Sequence, residues 1–367
     1  MPKGCYPEGR SNHTGRNPST EDAYPRRRLD AARASPLKAH PAMTNRMTSA
    51  PTGYDVEAAG RAIVGMVTET PTIRARNLTK RVGADPFLKL ENLQVTGSFK
   101  VRGAANRMLA LTEEERSRGV VTCSSGNHGR AIAYVAQQLQ IPATVCVPEW
   151  VDPVKLEAIR NHGAETVLSG ATYDAAEERS FEIERERGLT YIHPFDDPYV
   201  IAGQGTIGLE LIEQIQPLDA VLVPLSGGGL IAGIAMALKP RRPEIKVIGV
   251  SARNASVMVE SLEAGRPIAC AEEPTIANAL SGGIGLGNKY TFSIVRDYVD
   301  AHVLVSEETI RDAMVFAAQE HRLIVEGGGA VGIAAMLDDA INVTGSVAIV
   351  VSGGNVGLEQ LATLQSP

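Results

Sequence analysis

Lys100 sits in the run Glu91-Asn-Leu-Gln-Val-Thr-Gly-Ser-Phe-Lys-Val-Arg-Gly-Ala104, and further along the chain come Ser124-Ser-Gly-Asn-His-Gly129, Ser226-Gly-Gly-Gly229 and Ser352-Gly-Gly-Asn355. Glycine-rich segments of this kind expose backbone N–H groups at close range, which is how proteins hold phosphate. An amine beside such a cradle is what a carbonyl cofactor carried as a Schiff base requires. The lysine must then be neutral part of the time, a condition that desolvation and nearby positive charge supply. A lone lysine after a turn is ordinarily a solvated surface residue; the glycine loops are what single this one out. Gly227-Gly-Gly229 continues as Leu-Ile-Ala-Gly, without the spacings of the dinucleotide fingerprint or the P-loop, which disfavours a nucleotide cradle.

The elements that position these residues are legible in the hydrophobic pattern. Apolar runs of strand length occur at Val120–Cys123, Ala143–Val147, Thr166–Leu168, Ala220–Val223, Lys246–Val250, His302–Val305 and Val347–Val351. Helical spacing fills Ala131–Leu139, Pro153–His162, Tyr173–Arg187, Thr206–Ile215, Leu230–Leu238, Ser256–Ala264, Glu307–His321 and Ala330–Leu337. Strand then helix, repeated, predicts an α/β fold with mostly parallel sheets and right-handed crossovers. The three glycine-rich loops then fall where a strand stops and a helix begins, at the edge where such folds bind ligands. At 367 residues the chain has room for two domains, or for one large domain with a smaller insertion.

Ser98-Phe-Lys-Val-Arg-Gly103, Ser124-Ser-Gly-Asn-His-Gly129, Ser226-Gly-Gly-Gly-Leu230 and Ser352-Gly-Gly-Asn355 together resemble the four signature segments of the threonine/serine dehydratase family. These are pyridoxal-phosphate enzymes of fold type II, a group that includes serine racemase. The resemblance implies two open, mostly parallel sheets with covering helices. A large cofactor-binding domain would comprise 51–118 and 195–367, and a smaller mobile domain 119–194. It also implies that Lys100 carries the pyridoxal 5′-phosphate as a Schiff base and later takes the α-proton. Phe99 would pack on the pyridine ring, Asn127 would bond the cofactor's 3′-oxygen, and Ser226, Gly227, Gly228, Gly229 and Leu230 would hold the phosphate. Ser352 would face the pyridine nitrogen. Ser124, Ser125, Asn127 and His128 would receive the substrate carboxylate, and Ser125 matches the serine that in racemases works opposite the lysine. A hydroxyl at Ser352 cannot strongly stabilise a protonated pyridine nitrogen, so a weaker electron sink and prompt β-elimination are expected. His128 matches the dehydratase and racemase form of its loop; cysteine synthases typically carry threonine there.

Two departures bear on function. Where several relatives place carboxylates for a divalent cation, this chain reads Ser251-Ala-Arg-Asn-Ala-Ser256, so no metal is expected there. Only ten residues follow Gly357, so the carboxyl-terminal regulatory domain of biosynthetic threonine dehydratases is not expected. Pro194-Phe-Asp-Asp-Pro198, Gly282–Asn288 with Tyr290-Thr-Phe292, and Glu326-Gly-Gly-Gly-Ala-Val-Gly332 resemble the dehydratases of hydroxyectoine utilisation.

The net charge of −6 gives no reason to propose nucleic acid, and no apolar run is long enough to span a membrane. Cys5, Cys123, Cys146 and Cys270 are scattered and read as reduced thiols of a cytoplasmic protein. The first 50 residues carry nine basic and four acidic side chains and are expected to form a disordered basic tail, a transit peptide, or a stretch upstream of a later start at Met43 or Met47. The expectation is a cytoplasmic, homodimeric lyase that converts a β-hydroxy-α-amino acid to a 2-oxo acid and ammonia. The substrate is of threonine/serine type, or a larger or more acidic relative such as 3-hydroxyaspartate. An amino-acid racemase, a β-replacement enzyme and a catalytically silent amino-acid-binding regulator stay open as alternatives.

Overall fold

The Val-, Ile- and Ala-rich runs form ten strands in a computed structural model that describes residues 47–271 and 273–364. The basic tail expected over 1–50 lies outside the described residues except for its last four. Of those, Met47 packs on a buried cluster and its amide donates to Tyr199 Oη. The strands are β1 (Thr72–Arg74), β2 (Asp85–Leu90), β3 (Val120–Cys123), β4 (Ala143–Val147), β5 (Glu165–Leu168), β6 (Thr190–Tyr191), β7 (Ala220–Pro224), β8 (Lys246–Ala252), β9 (Ala301–Val305) and β10 (Ser346–Val351).

Six strands make one sheet in the order β1-β2-β10-β7-β8-β9, and four make a second in the order β5-β4-β3-β6. Every pairing is parallel except β1 with β2. A sheet built this way must be covered on both faces, because its strands are apolar on both. Leu222, Val347, Ile349 and Val351 pack under the Glu307–His321 and Gly327–Leu337 helices. Their neighbours Val221, Val223, Ala348 and Val350 face the opposite way, under the Pro198–Gln214 and Gly229–Leu238 helices. In the smaller sheet Val145 and Val147 meet the Pro153–Arg160 helix, while Val121, Cys123 and Cys146 meet the Tyr173–Arg187 helix.

All seven strands expected from the sequence are present, the largest shift at either end being two residues. The third glycine loop differs from expectation. No helix starts directly at the end of β10; residues 352–357 run on as loop, and a helix begins only at Leu358. The loop instead pairs with the segment before Lys100: Ser98 bridges Gly353, Phe99 N–H donates to Ser352 O, and Gly354 N–H donates to Gly97 O. That pairing draws the Ser352 loop against the lysine.

Candidate active site

Lys100 opens the Lys100–Leu109 helix at the end of this pairing. Its amine donates to Pro194 O at 2.7 Å and lies 5.3 Å from the centre of the Phe99 ring. Burial brings its pKa down to about 8, and the Glu326 carboxylate pulls weakly the other way. A substantial neutral fraction near physiological pH is the state a nucleophilic or proton-accepting lysine needs.

The carbonyl that receives the amine belongs to the 193–197 segment, which also reaches the Ser226 loop. Phe195 lies against Gly227 and Gly229, so closely that a Cβ on Gly229 would come within 2.9 Å of it. Gly228 has φ +86°, a conformation that L side chains rarely adopt, and a Cβ there would meet Met258 Cε at 2.8 Å. The amides of Gly227, Gly228, Gly229 and Leu230 have no acceptor among the described residues, as expected at the first turn of the Gly229–Leu238 helix. Ser226 Oγ donates to Leu280 O at 2.7 Å, tying the loop to the turn at Asn278–Leu280. Asp196 accepts from the amides of Lys289, Tyr290 and Thr291, so two of the motifs noted in the sequence are clamped together behind the loop.

Across from these, Ser124, Ser125 and Gly126 precede the Asn127–Leu139 helix. Ser124 Oγ accepts from Gly126 N–H, and Ser125 is partly exposed with no hydrogen bond among the described residues. The amides of Asn127, His128 and Gly129 are without acceptors among the described residues, a second anion-receptive helix start. His128 is 3 % exposed; its Nε2 meets Ile192 O at 3.1 Å and its Nδ1 is enclosed without a partner among the described residues. Burial first, and Lys100 second, lower its pKa to about 3, so the ring is neutral. Any part it takes in holding a carboxylate therefore falls to its backbone N–H. Ser352 is buried, and its Oγ makes a long contact, 3.4 Å, with Gly328 O.

The structure adds residues to which the sequence reading gave no role. Glu326 is 6 % exposed and accepts from Asn127 Nδ2 at 2.6 Å. Burial raises its pKa to about 6, opposed by the bond from Asn127. Asn355 donates to Asn127 Oδ1, and Arg130 donates to Asn355. Glu326 stood in a quoted motif and Asn355 closed a quoted loop, but nothing in their spacing shows that they converge on Asn127.

The geometry is thus a depressed-pKa lysine, two helix starts with free amides and a buried acid on one asparagine. The pyridoxal-phosphate dependent enzyme family matches residues 63–353. The chain belongs to that family. It is 43 % identical to an L-threonine ammonia-lyase of Thermotoga maritima over 308 residues, 84 % of this chain and 76 % of that protein. Among solved structures it is similar to maize serine racemase, with a TM-score of 0.82 and 36 % identity over 86 % of this chain and 96 % of that one. It is also similar to the processed form of threonine deaminase isoform 2 from Solanum lycopersicum, with a TM-score of 0.81 and 34 % identity over 90 % and 97 %. The cofactor is therefore pyridoxal phosphate, and the enzyme has the fold type II architecture. The site fits that group: unsatisfied amides at Gly227–Leu230 suit a phosphate dianion, and Lys100 has the lowered pKa that imine chemistry asks for.

Proposed function

We propose that this enzyme is a dehydratase that eliminates water from a β-hydroxy-α-amino acid of the threonine/serine type, yielding a 2-oxo acid and ammonia. The observation that carries this reading is the Lys100 amine, held on Pro194 O with its pKa brought down to about 8 and flanked by two amide-lined helix starts. The names of the relatives, threonine ammonia-lyase and threonine deaminase, support it.

In this reading the amides of Gly227–Leu230 hold the cofactor phosphate, while Phe99 and Ser352 face its ring. When bound, the cofactor supplies an electron sink that acidifies the α-carbon of the substrate amine. Lys100, once neutral, takes the α-proton. Amides at the start of the Asn127–Leu139 helix, with Ser124 and Ser125, orient the substrate carboxylate. Ser352 is a hydroxyl where a carboxylate would reinforce the ring nitrogen's charge, so the sink is weak and early departure of the β-hydroxyl is favoured over transamination. Residues 119–194 form the smaller mobile domain and close over the substrate, excluding water. The enzyme works as a homodimer in the cytoplasm.

Racemisation is the second reading, favoured by Ser125, which is partly exposed and matches the serine that in racemases works opposite the lysine. Lys100→Ala is expected to abolish both the visible absorption band of the holoenzyme and release of 2-oxo acid from L-threonine or L-serine. Retained turnover would refute the assignment. Chiral analysis of unreacted substrate separates the two readings, since a dehydratase leaves its configuration unchanged.

A further inference from the structure

Asn127 is placed by a chain of hydrogen bonds that starts at a permanent cation and ends at an acid. Arg130 Nη1 donates to Asn355 Oδ1 at 2.8 Å. Asn355 Nδ2 donates to Thr96 O at 2.9 Å and to Asn127 Oδ1 at 2.6 Å. Asn127 Nδ2 donates to Glu326 Oε1 at 2.6 Å. Every donor points the same way.

The polarity follows from the ends of the chain. A carboxamide has nearly the same shape with its oxygen and nitrogen exchanged, so two of them in series could be turned over together without changing the packing. A guanidinium has only donors, so the atom of Asn355 that faces Arg130 must be the oxygen. Thr96 O only accepts, so the opposite end of Asn355 must be the nitrogen. Asn127 must then present Oδ1 to Asn355 and Nδ2 to Glu326. Asn355 has no room to escape: Gly97 has φ +74°, and any Cβ there would collide with Asn355 Oδ1. Arg130 forms no ion pair among the described residues and its Nε is enclosed without a partner, so no carboxylate competes with Asn355 for the guanidinium.

We propose that Arg130 is a positioning residue of the active site: through Asn355, its donor-only guanidinium fixes which end of the Asn127 carboxamide faces Glu326 and which protons it can offer the cofactor. The inference rests on the proposed function together with the role that the family resemblance gives Asn127, a bond to the cofactor's 3′-oxygen. Asn127 Nδ2 has two protons and spends one on Glu326, so the other is the one available to that oxygen. Without Arg130 the polarity rests on Thr96 O and Glu326 alone, so turning Asn355 and Asn127 over together costs less, and a larger share of molecules places a carbonyl oxygen where the donor stood. The charged and titratable groups facing this chain are Lys100 and Lys155, which act on Glu326, and His162, which lies beside Arg130 and whose pKa is lowered chiefly by burial.

The test compares wild-type holoenzyme with Arg130→Met, which keeps most of the length and removes every donor, and with Arg130→Lys, which keeps a donor-only cation. An oxygen anion that loses a donor becomes more basic, so in Arg130→Met the pH midpoint of the visible band should rise by about one unit. The cofactor should dissociate with a constant roughly tenfold higher. Arg130→Lys should stay close to wild type on both readouts, which a role in packing alone would not predict. The inference is overturned if Arg130→Met leaves the midpoint and cofactor affinity in place, or if Arg130→Lys shifts them as far as Arg130→Met. A colourless wild-type protein whose Lys100 is not trapped by borohydride would instead overturn the parent reading, and this one with it.

Discussion

The Glu326 carboxyl sits between opposing influences, and their balance can be measured. Burial raises its pKa from 4.5 to about 6, against the bond from Asn127 and the charges of Lys155 and Lys100. A carboxyl whose folded pKa lies above its unfolded value binds protons more tightly when folded, so stability falls as pH rises from about 4.5 through 6. Glu326→Gln does not titrate and can still accept from Asn127. It should therefore be more stable than wild type above pH 6, by roughly 2 kcal/mol if the geometry is kept, and lose that advantage below about pH 4.5. Thermal unfolding between pH 4 and 8 checks this; parallel curves for the two proteins would mean that Glu326 is not held as described. Such a residue is hard to see in a sequence. Lys100 was legible because an amine beside glycine loops has few other uses, whereas Glu326 becomes informative only once its burial and its contact with Asn127 are known. His128 shows the reverse case: its position in the loop was evident, but its burial against Ile192 O was not.

The Pro198–Gln214 helix connects the lysine to the Ser226 loop. It packs on the Lys100–Leu109 helix at Gly203, where a Cβ would come within 2.6 Å of Arg102 O, and on the Gly229–Leu238 helix at Gly205, where a Cβ would come within 2.6 Å of Gly233 O. Beneath that crossing lies a buried ionic cluster. Arg102 donates to Glu91 through Nε and Nη2, both at 2.8 Å, and to Glu210 at 2.5 Å, while Lys89 pairs with Glu210 at 2.5 Å. Arg102, Lys89 and Glu91 are fully buried. Two cations and two anions leave the cluster neutral, and removing one member leaves an uncompensated charge. Glu91→Gln is expected to cost about 3–5 kcal/mol in chemical denaturation, and the double variant Glu91→Gln/Arg102→Met should recover part of that loss. A double variant as unstable as the sum of the singles would count against the pairing. The same cluster explains which elements the sequence hid. Strand β2 reads Asp-Pro-Phe-Leu-Lys-Leu and the lysine helix begins Lys-Val-Arg-Gly, so charged residues interrupt both patterns where an apolar run would have announced them. The buried parallel strands β3, β4, β7, β8 and β10 were legible because strands between two helical layers are mostly apolar, the few buried hydroxyls such as Thr122 and Ser251 bonding to nearby backbone carbonyls.

At the scale of the whole molecule, the strands of the smaller sheet all fall within residues 120–191, and the site lies between that layer and the loops of the larger sheet. The polar links across the site are few: Lys100 to Pro194 O, Asn127 to Glu326, Asn355 to Asn127, and Arg130 to Asn355. The two helix starts at Asn127 and Gly229 carry amides with no acceptor among the described residues. Ligand binding therefore has a definite place to add protection. If 119–194 closes as a unit on substrate, a non-reactive amino acid lacking a β-leaving group should slow hydrogen exchange in the peptide spanning Ser124–Arg130 by roughly tenfold or more. Peptides from β7, β8 and β10, buried in the larger sheet, should slow only by the common factor that ligand binding adds to global stability. Slowing confined to Gly227–Leu230 would show cofactor retention without closure, and uniform slowing would show simple stabilisation by ligand. Only a change centred on the Asn127 helix start, extending into β3 and β4 and exceeding the slowing shared with the larger sheet, fits a small domain that moves over its substrate.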